Sequence, residues 1–325
     1  MKILYYGACW PTNIGNAFID YGSIYTIKTV VPEAEIYFAS ELPRWFHKVN
    51  REYMDKSIDL AELMKIDFVV ISGMVCCNAF IEIQGPILRR LSKRGVKIVF
   101  NGCGGLTYKK KEINNFKRFL DGIKVAGFIS RDKIAYNNYR DCSLKSYNGI
   151  DCAFFLSDSF TPANLLIEDY VVYNFDRIKE PKIENKNNRK IIRTHHSCSK
   201  ILPSIFTNRG IILNIKTRMP FIKILKHTIN NVYLKHKDTL ISDTPDDYLN
   251  LYANTYATYS DRLHACIATL SFGNFARLYL SSPRDYLFKR MGIEAIKEKL
   301  VKLDQDKMNI EKEKQISFLR EIFKE

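Results

Sequence analysis

The chain has 325 residues, of which 46% are hydrophobic and 26% are charged, and this balance excludes a disordered or low-complexity protein. Lys and Arg outnumber Asp and Glu by 50 to 35, which gives a formal net charge of +15 and predicts an anionic partner. No apolar run reaches the roughly 18 residues that a membrane-spanning helix needs. The length predicts two domains. The first residues are typical of a strand and not of a signal peptide, so we expect a cytoplasmic protein.

The first half of the sequence alternates between strand-like and helix-like patterns. The strand-like segments are residues 2–7, 35–40, 68–73, 96–102 and 125–130. The helix-like segments are residues 16–29, 80–94, 112–122 and 132–139. The segment FVVISG at 68–73 is a continuous apolar run, which is typical of a parallel strand buried on both faces. This order predicts an α/β domain over residues 1–157, with helices on both faces of a parallel sheet.

A second α/β pattern follows a polar linker that we place at residues 158–168. Its strand-like segments are residues 170–175, 190–196, 211–215, 239–242, 257–259 and 276–280. A helix is predicted to begin after Thr244, because Thr244 is a favourable N-cap and Pro245 suits the first helical position. We predict a second Rossmann-like domain over residues 169–303 and a charged helix over residues 304–325. Two such domains would meet across a central cleft, and ligands bind there beyond the carboxyl ends of the strands.

Positive charge is concentrated in residues 182–238, which contain thirteen Lys or Arg residues and two acidic residues. Such a segment attracts phosphate, acidic glycans, anionic lipid or nucleic acid. No nucleic-acid-binding motif accompanies it, so nucleic acid is not an expected partner. Within it, residues 218–236 have one apolar stripe and an opposite basic face. This pattern is typical of a helix packed on its own sheet, and it also suits a helix resting on an anionic membrane surface.

The eight cysteines show no paired zinc-ligand spacing, and a disulfide framework is usual in much shorter secreted chains. We therefore expect buried thiols and no metal. His195 and His196 are adjacent, and neighbouring side chains of a strand point to opposite faces, so the two are unsuited to a single metal ion. We expect them in a strand-end loop, with His195 as a minor candidate for the cleft.

The segment YSDRLHACIATLSFGN at 259–274 places an arginine and a histidine where a strand leads into a helix. Ser260 or Asp261 is predicted to cap this helix, whose apolar residues recur at helical spacing. Arg262 and His264 would lie in its first turn, where free backbone N–H groups and the helix dipole already favour an anion. Arg262 suits a carboxylate or a phosphate because its planar guanidinium binds two oxygens at once, and an imidazole such as that of His264 can supply or remove a proton.

Two interpretations of this junction stay open on these residues alone. In one, an external anion binds between the helix and the guanidinium of Arg262, and His264 transfers a proton. In the other, Arg262 pairs with a local carboxylate and His264 is a half-buried histidine whose hydrogen bonds are satisfied within the protein.

The segment at 259–274 resembles the C-terminal motif of the polysaccharide pyruvyltransferase family, in which a strand end leads into Ser-Arg-Leu-His-Ala and a helix. Further segments resemble that family in the same order: NIGNAFIDYGS (13–23), FVVISG (68–73), KIVFNGCGGL (97–106), FISRDKIAYNNY (128–139) and NGIDCAFFL (148–156). The resemblance covers nearly the whole chain. It implies a GT-B-like fold, in which two Rossmann-like domains face each other across a central cleft.

The resemblance also implies a transferase that moves the enolpyruvyl unit of phosphoenolpyruvate onto two hydroxyls of one sugar and releases phosphate. The acceptor would belong to a cell-surface polysaccharide, capsule or cell-wall glycan, or to its lipid-linked precursor. Such chemistry needs cationic groups for the donor and a general acid and base. By the resemblance, Arg262, Leu263 and Arg131 would bind the donor, His264 would transfer a proton, and Asp151 would act as a base or orient a sugar hydroxyl. We expect no cofactor besides this co-substrate.

One position departs from the family pattern. Asn16 stands where the family often has Asp after the N-terminal glycine, and an amide cannot act as a base. Asn13, Gly15 and Asn16 are therefore predicted either to contact the acceptor or to shape the loop and cap the first helix. The departure leaves open an altered acceptor, or a catalytically silent relative that binds a sugar or phosphate. A separate alternative is a GT-B glycosyltransferase, in which the same cations would hold the diphosphate of a nucleotide sugar.

Overall fold

The computed structural model describes residues 1–8, 10, 13–40, 59–185, 187–196 and 238–324. Within these residues the chain forms two separate parallel β-sheets. Among the helices described, none combines the length and the apolar character that crossing a bilayer requires.

The first sheet contains the strands β1 (Lys2–Gly7), β2 (Glu35–Ser40), β3 (Phe68–Cys76), β4 (Lys97–Gly105), β5 (Val125–Ser130) and β6 (Lys145–Asn148). They lie in the order β2-β1-β3-β4-β5-β6 and all run parallel. The helices of this half are α1 (Gly15–Val30), α2 (Leu60–Leu63), α3 (Asn78–Lys93), α4 (Lys110–Asp121) and α5 (Lys133–Tyr139). The predicted elements are confirmed to within a few residues. The sequence missed β6, because its residues KSYN contain no apolar run.

The second sheet contains β7 (Tyr170–Asn174), β8 (Lys190–Thr194), β9 (Thr239–Leu240), β10 (Ala257–Ser260) and β11 (Phe275–Leu278). They lie in the parallel order β11-β10-β7-β8-β9. The helices from the first sheet to the C-terminus are α6 (Leu156–Ser159), α7 (Pro245–Asn254), α8 (Leu263–Ser271), α9 (Tyr286–Arg290) and α10 (Gln305–Phe323). Thr244 is the N-cap of α7, as predicted, although its side chain makes no capping hydrogen bond. The strand predicted at 211–215 and the basic helix predicted at 218–236 lie outside the described residues.

The C-terminal helix α10 returns to the first sheet. Its apolar residues Leu319, Ile322 and Phe323 are buried in one cluster with strand residues of β1, β3, β4 and β5. Gln315 is also buried, and it donates to Oδ1 of Asn101 at 3.1 Å and accepts from the backbone N–H of Ile150 at 2.7 Å. The helix that the sequence marked only as charged therefore completes the core of the N-terminal half.

Helix α1 packs against both halves of the molecule. Its residues Ala17 and Phe18 are fully buried in a cluster with residues of α7 and α8. The rings of Phe18 and Tyr252 lie 6.0 Å apart in an edge-to-face arrangement. Tyr21 donates a hydrogen bond of 2.8 Å to Asp246 at the start of α7. The start of α1 is therefore held at the junction where the two sheets face each other.

Candidate active site

The carboxyl ends of three strands lie side by side in the second sheet. The register pairs Ser260 of β10 with Asn174 of β7 on one side and with Leu278 of β11 on the other. Because ligands bind beyond the carboxyl ends of strands in open parallel sheets, the loops after these strands form the expected site. Three of the arginines in these loops, Arg177, Arg262 and Arg284, lie close after the ends of the strands.

The start of α8 differs from the predicted one. Arg262, and not Ser260 or Asp261, is the N-cap residue, and its side chain makes no capping hydrogen bond. Ser260 instead accepts a hydrogen bond of 2.8 Å from the backbone N–H of Arg262. The Asp261 carboxylate accepts from the backbone N–H groups of residues 176–178, at 3.1, 2.6 and 2.8 Å. The Asp261 carboxylate therefore serves the neighbouring loop, and because the N-cap residue makes no side-chain cap, the first-turn N–H groups of α8 stay available for an anion.

Arg262 is held by a buried carboxylate. Its Nε donates to Oδ2 of Asp176 at 2.7 Å, and His195 Nδ1 lies 3.0 Å from Oδ1 of the same residue. Burial alone would raise the pKa of Asp176, but the hydrogen bond from His195 and the charge of Arg262 outweigh it and lower the pKa to about 2. Arg262 therefore pairs with a local carboxylate through its Nε, as the second interpretation of this junction expected.

A pocket lies at this edge of the second sheet, and its wall carries excess positive charge. Among the described residues that line it, the arginines Arg177, Arg262 and Arg284 outnumber the single carboxylate, Asp261. That carboxylate is also saturated by backbone N–H groups. Leu263 and His264 of the first turn of α8 line the same pocket. The arrangement provides several cationic donors around a small space, which suits a compact anion with more than one charge.

Arg284 forms no ion pair with a carboxylate among the described residues. Partial burial and the like charges of Arg177, Arg131 and Arg262 lower its pKa to about 10. Its Nη1 makes a weak contact of 3.9 Å with Sδ of Met74, at the end of the first sheet. A bound anion would remove this repulsion, so the cluster of arginines is best satisfied when the pocket is filled.

His264, Asp151 and Arg131 form a second, deeper group. Arg131 donates to Oδ2 of Asp151 at 3.0 Å, and His264 Nε2 lies 3.6 Å from the same oxygen. This second distance is too long for a hydrogen bond, so the contact is electrostatic. Burial would raise the pKa of Asp151, but the interactions with His264 and Arg131 outweigh it and lower the pKa to about 2. Asp151 is therefore a poor proton acceptor at neutral pH.

The side chain of Arg131 differs in position from the expected one. It follows β5 as predicted, but only 1% of it is exposed, and it does not line the pocket. Its Nε and Nη2 are buried without a hydrogen-bond partner among the described residues. Gly104 makes room for it, since a Cβ there would lie 2.5 Å from Nε. Asp151 is fully buried too, so neither group reaches a ligand at the pocket surface directly.

The N-terminal loop reaches the pocket from the other half of the molecule. Asn13 lines it, and the backbone N–H of Ile14 donates to the carbonyl of His196 at 2.8 Å. A Cβ on Gly15 would lie 3.1 Å from both Nδ1 of His196 and Cβ of His264. Asn16 accepts a hydrogen bond of 3.0 Å from Asn13 Nδ2. The N-cap of α1 is Ile14, which makes no side-chain cap, so neither asparagine caps this helix.

The chain matches a known protein family in sequence. The sequence model of the polysaccharide pyruvyl transferase family matches residues 13–273, which is most of the chain. The chain belongs to this family. Every residue that the sequence singled out for the site, from Asn13 to His264, lies within the matched range. Membership of this family indicates that the protein is a transferase. Among curated proteins, none matches the chain in sequence.

Solved structures resemble the chain over nearly its full length. A co-structure of S. aureus MnaA with UDP is 12% identical, with a TM-score of 0.51, and the match covers 99% of this chain and 91% of that one. A putative UDP-N-acetylglucosamine 2-epimerase from Listeria monocytogenes is 9% identical, with a TM-score of 0.53 and coverage of 98% and 90%. At these identities the likeness shows the fold alone. The fold is GT-B-like, with two Rossmann-like halves.

The site of this pyruvyl transferase family member contains residues that the sequence did not point to. Arg177 and Arg284 line the pocket, and so does His196, whereas the sequence favoured His195 as a minor candidate. Each of the three follows the carboxyl end of a strand of the second sheet, and this position is the signal that could have found them. In the described part of the chain, no group of three or more His, Cys, Asp or Glu side chains could hold a metal ion.

Proposed function

We propose that the protein transfers pyruvate from phosphoenolpyruvate to two hydroxyls of one sugar and so forms a cyclic pyruvate ketal. The sugar would belong to a cell-surface polysaccharide or to its lipid-linked precursor. The observation that supports this proposal best is the arginine-lined pocket at the positive end of α8, because its excess of positive charge matches a small anion with several charges. Membership of the polysaccharide pyruvyl transferase family supports the same reaction.

The pocket offers separate partners for the two anionic groups of the donor. The Nε edge of Arg262 is fixed by Asp176, so its terminal nitrogens keep a defined direction when they meet an oxyanion. Arg284 comes from the loop after β11 and Arg177 from the loop after β7, so the three guanidinium groups surround a bound anion from different strands. We propose that these cations and the first-turn amides of α8 bind the phosphate and carboxylate together.

The chemical step needs one proton donor near the vinyl group of phosphoenolpyruvate. Protonation of the methylene carbon turns it into a methyl group and leaves the neighbouring carbon short of electrons. A first sugar hydroxyl then adds to that carbon and returns a proton to the group that protonated the methylene. A second hydroxyl attacks the same carbon, the bond from this carbon to the phosphate oxygen breaks, and the second proton leaves with the inorganic phosphate. We propose His264 for proton transfer, because it lines the pocket beside Arg262.

Asp151 and Arg131 act in this proposal through His264. The Asp151 carboxylate lies 3.6 Å from His264 Nε2 and is tied to Arg131 at 3.0 Å. A buried carboxylate whose pKa is held near 2 stays ionised and stabilises the protonated imidazole. We therefore assign Asp151 and Arg131 to positioning, and not to direct contact with substrate.

A lipid-linked acceptor would bring the protein to the inner membrane face, and the basic stretch 182–238 is the feature that supports such contact. In its described part, several of the charges are already paired, as in Arg193–Glu180 at 2.8 Å and Lys190–Asp238 at 3.3 Å. Any attraction to anionic lipid would depend on the remaining basic residues of this stretch. Co-sedimentation with phosphatidylglycerol vesicles, but not with phosphatidylcholine vesicles, is the result expected for membrane contact.

Incubation with phosphoenolpyruvate and a series of glycan acceptors tests the proposed reaction. Phosphate release that depends on the acceptor, together with a product heavier by one pyruvate ketal, is the expected result. Release of a nucleoside diphosphate from a nucleotide sugar would instead identify a glycosyltransferase. Binding of phosphoenolpyruvate with no turnover on any acceptor would identify a catalytically silent relative.

A further inference from the structure

Three buried polar atoms in residues that line the pocket have no hydrogen-bond partner among the described residues. One is Nε2 of His264, which faces Asp151 at 3.6 Å, and the other two are Nδ1 of His196 and Oδ1 of Asn13. His196 is only 2% exposed. Because a buried polar atom without a partner has lost its hydrogen bonds to water and gained none in return, two such atoms at one place indicate a ligand group that pairs with them.

The hydrogen bonds of the two side chains determine whether His196 Nδ1 and Asn13 Oδ1 act as donor or acceptor. His196 Nε2 lies 2.6 Å from the hydroxyl of Tyr252, which also contacts Thr194 Oγ1 at 3.2 Å. Burial lowers the pKa of His196 to about 3 and raises the pKa of Tyr252, so a neutral imidazole faces a protonated phenol. When Tyr252 donates to Nε2, the single imidazole proton resides on Nδ1, which then donates into the pocket. Asn13 Nδ2 donates to Asn16, and this leaves Oδ1 as a hydrogen-bond acceptor.

Gly15 keeps these two atoms accessible. A Cβ at this position would lie 3.1 Å from His196 Nδ1, 3.5 Å from Asn13 Oδ1 and 3.1 Å from Cβ of His264. The three groups therefore crowd the position that a side chain at residue 15 would occupy, and glycine leaves His196 Nδ1 and Asn13 Oδ1 uncovered on this side. The backbone of Gly15 is not in the left-handed region, so its conformation does not require glycine.

We propose that His196, Asn13 and Gly15 form a binding subsite for one hydroxyl of the acceptor sugar, next to the arginine-lined donor pocket. A hydroxyl accepts from His196 Nδ1–H and donates to Asn13 Oδ1 at the same time, whereas a carboxylate or phosphate oxygen has no proton for Oδ1. The bound hydroxyl lies beside His264, where the donor is attacked. This subsite rests on the proposed pyruvyl transfer for its chemical role, but not for sugar binding itself.

Gly15→Ala is the sharpest test, because its Cβ crowds His196 Nδ1 and Asn13 Oδ1 while both polar side chains are retained. The matched control is Gly85→Ala in α3, where a new Cβ would meet ordinary contacts of 3.4–3.6 Å far from the pocket. With a series of methyl hexopyranosides and saturating phosphoenolpyruvate, we expect at least a tenfold higher KM for the sugar in Gly15→Ala. We expect the Kd for phosphoenolpyruvate to change by less than about twofold, and the control to match the wild type.

His196→Leu and His196→Asn separate the hydrogen bond from packing. Leu removes the donor, whereas the amide of Asn keeps an N–H near the position of Nδ1, so Asn should recover part of the sugar affinity that Leu loses. Equal sugar affinity in all variants, or parallel losses of sugar and phosphoenolpyruvate affinity, would overturn the subsite.

Saturation-transfer NMR on the wild-type protein keeps the two proposals distinct. Sugar signals that vanish in Gly15→Ala would support the subsite even if phosphoenolpyruvate failed to bind, and that failure would count against the proposed reaction alone. Absence of signal from every methyl hexopyranoside with the wild-type protein would overturn the subsite.

Discussion

Arg262 and Asp176 join the ends of two neighbouring strands. Nε of Arg262, which follows β10, donates to Oδ2 of Asp176, which follows β7, at 2.7 Å. The same oxygen accepts from the backbone N–H of His196 at 2.9 Å, and Oδ1 contacts His195. One buried carboxylate thus fixes a cation of the proposed donor pocket and the backbone of the proposed hydroxyl subsite. The geometry of the two subsites is coupled through Asp176.

Arg262→Lys should weaken the binding of phosphoenolpyruvate by about tenfold or more. A lysine has one ammonium group and cannot donate to Asp176 and hold two anion oxygens at the same time, as the guanidinium can. A lost charge-assisted hydrogen bond of roughly 1.5–3 kcal/mol corresponds to this range. Isothermal titration calorimetry with phosphoenolpyruvate measures the change.

The matched control for this substitution is Arg118→Lys, on the exposed surface of α4. It makes the same chemical change away from the pocket and should leave affinity and turnover at wild-type values. Wild-type affinity and rate in Arg262→Lys would show that Arg262 has only the structural role of binding Asp176.

Arg284→Gln should have opposite effects on the empty and the filled pocket. The charges of Arg177, Arg131 and Arg262 already lower the pKa of Arg284, so removing its charge relieves repulsion in the empty protein. Thermal unfolding without ligand should therefore occur at the same or a higher temperature. The added stability that inorganic phosphate or phosphoenolpyruvate provides should shrink, with about tenfold weaker binding. A lower Tm without ligand, combined with unchanged ligand affinity, would contradict the assignment.

Asp151→Asn should destabilise the protein by about 3–5 kcal/mol, because it leaves the buried guanidinium of Arg131 without its counter-charge. Urea unfolding at pH 7 measures the loss. In the double variant Asp151→Asn with Arg131→Met, the unpaired charge is gone, and much of the stability should return. Equal stability of the single and double variants would show that the ion pair does not carry the effect.

The sequence predicted what depends on local pattern and missed what depends on contacts between distant segments. Continuous apolar runs located most strands of both sheets, and the Ser-Asp-Arg-Leu-His segment at 260–264 located the start of α8. Its cap was predicted wrongly because Asp261 binds the backbone of 176–178, a loop from a different strand. Arg177 and Arg284 belong to no motif, and only the register of β7, β10 and β11 brings them to Arg262.

The titration of His196 should lower the unfolding free energy of the protein as the pH decreases from about 6.5 to about 3. Its pKa is about 3 in the folded protein, below its ordinary value of 6.5, so only the unfolded state gains a proton in this range. His196→Asn should flatten the slope of unfolding free energy against pH by up to about 1.4 kcal/mol per unit. Urea titrations at pH 4, 5 and 6 measure this slope. Asp176→Asn is the contrasting variant, because its carboxyl, with a pKa lowered from 3.8 to about 2, should alter the slope only below pH 4.

Titration of Asp20 should change the stability in the opposite direction to His196 over much of the same pH range. Burial raises its pKa from 3.8 to about 7, although Trp10 and Tyr5 donate hydrogen bonds to it at 2.6 and 2.8 Å. Between these two pH values the unfolded state releases a proton that the folded state keeps, so stability falls as the pH rises, by roughly 4 kcal/mol in total.

Asp20→Asn removes this titration, so its stability relative to the wild type should increase steadily from pH 4 to pH 7. The test is how the difference in unfolding free energy between variant and wild type changes with pH. Its absolute size is not decisive, because the lost hydrogen bond changes that difference by the same amount at every pH. Since Asp20 and His196 oppose each other, the wild-type profile should be nearly flat between pH 4 and 6.5, and each single variant should expose the slope of the other group. Parallel profiles for Asp20→Asn and the wild type would mean that Asp20 is ionised in the folded protein throughout.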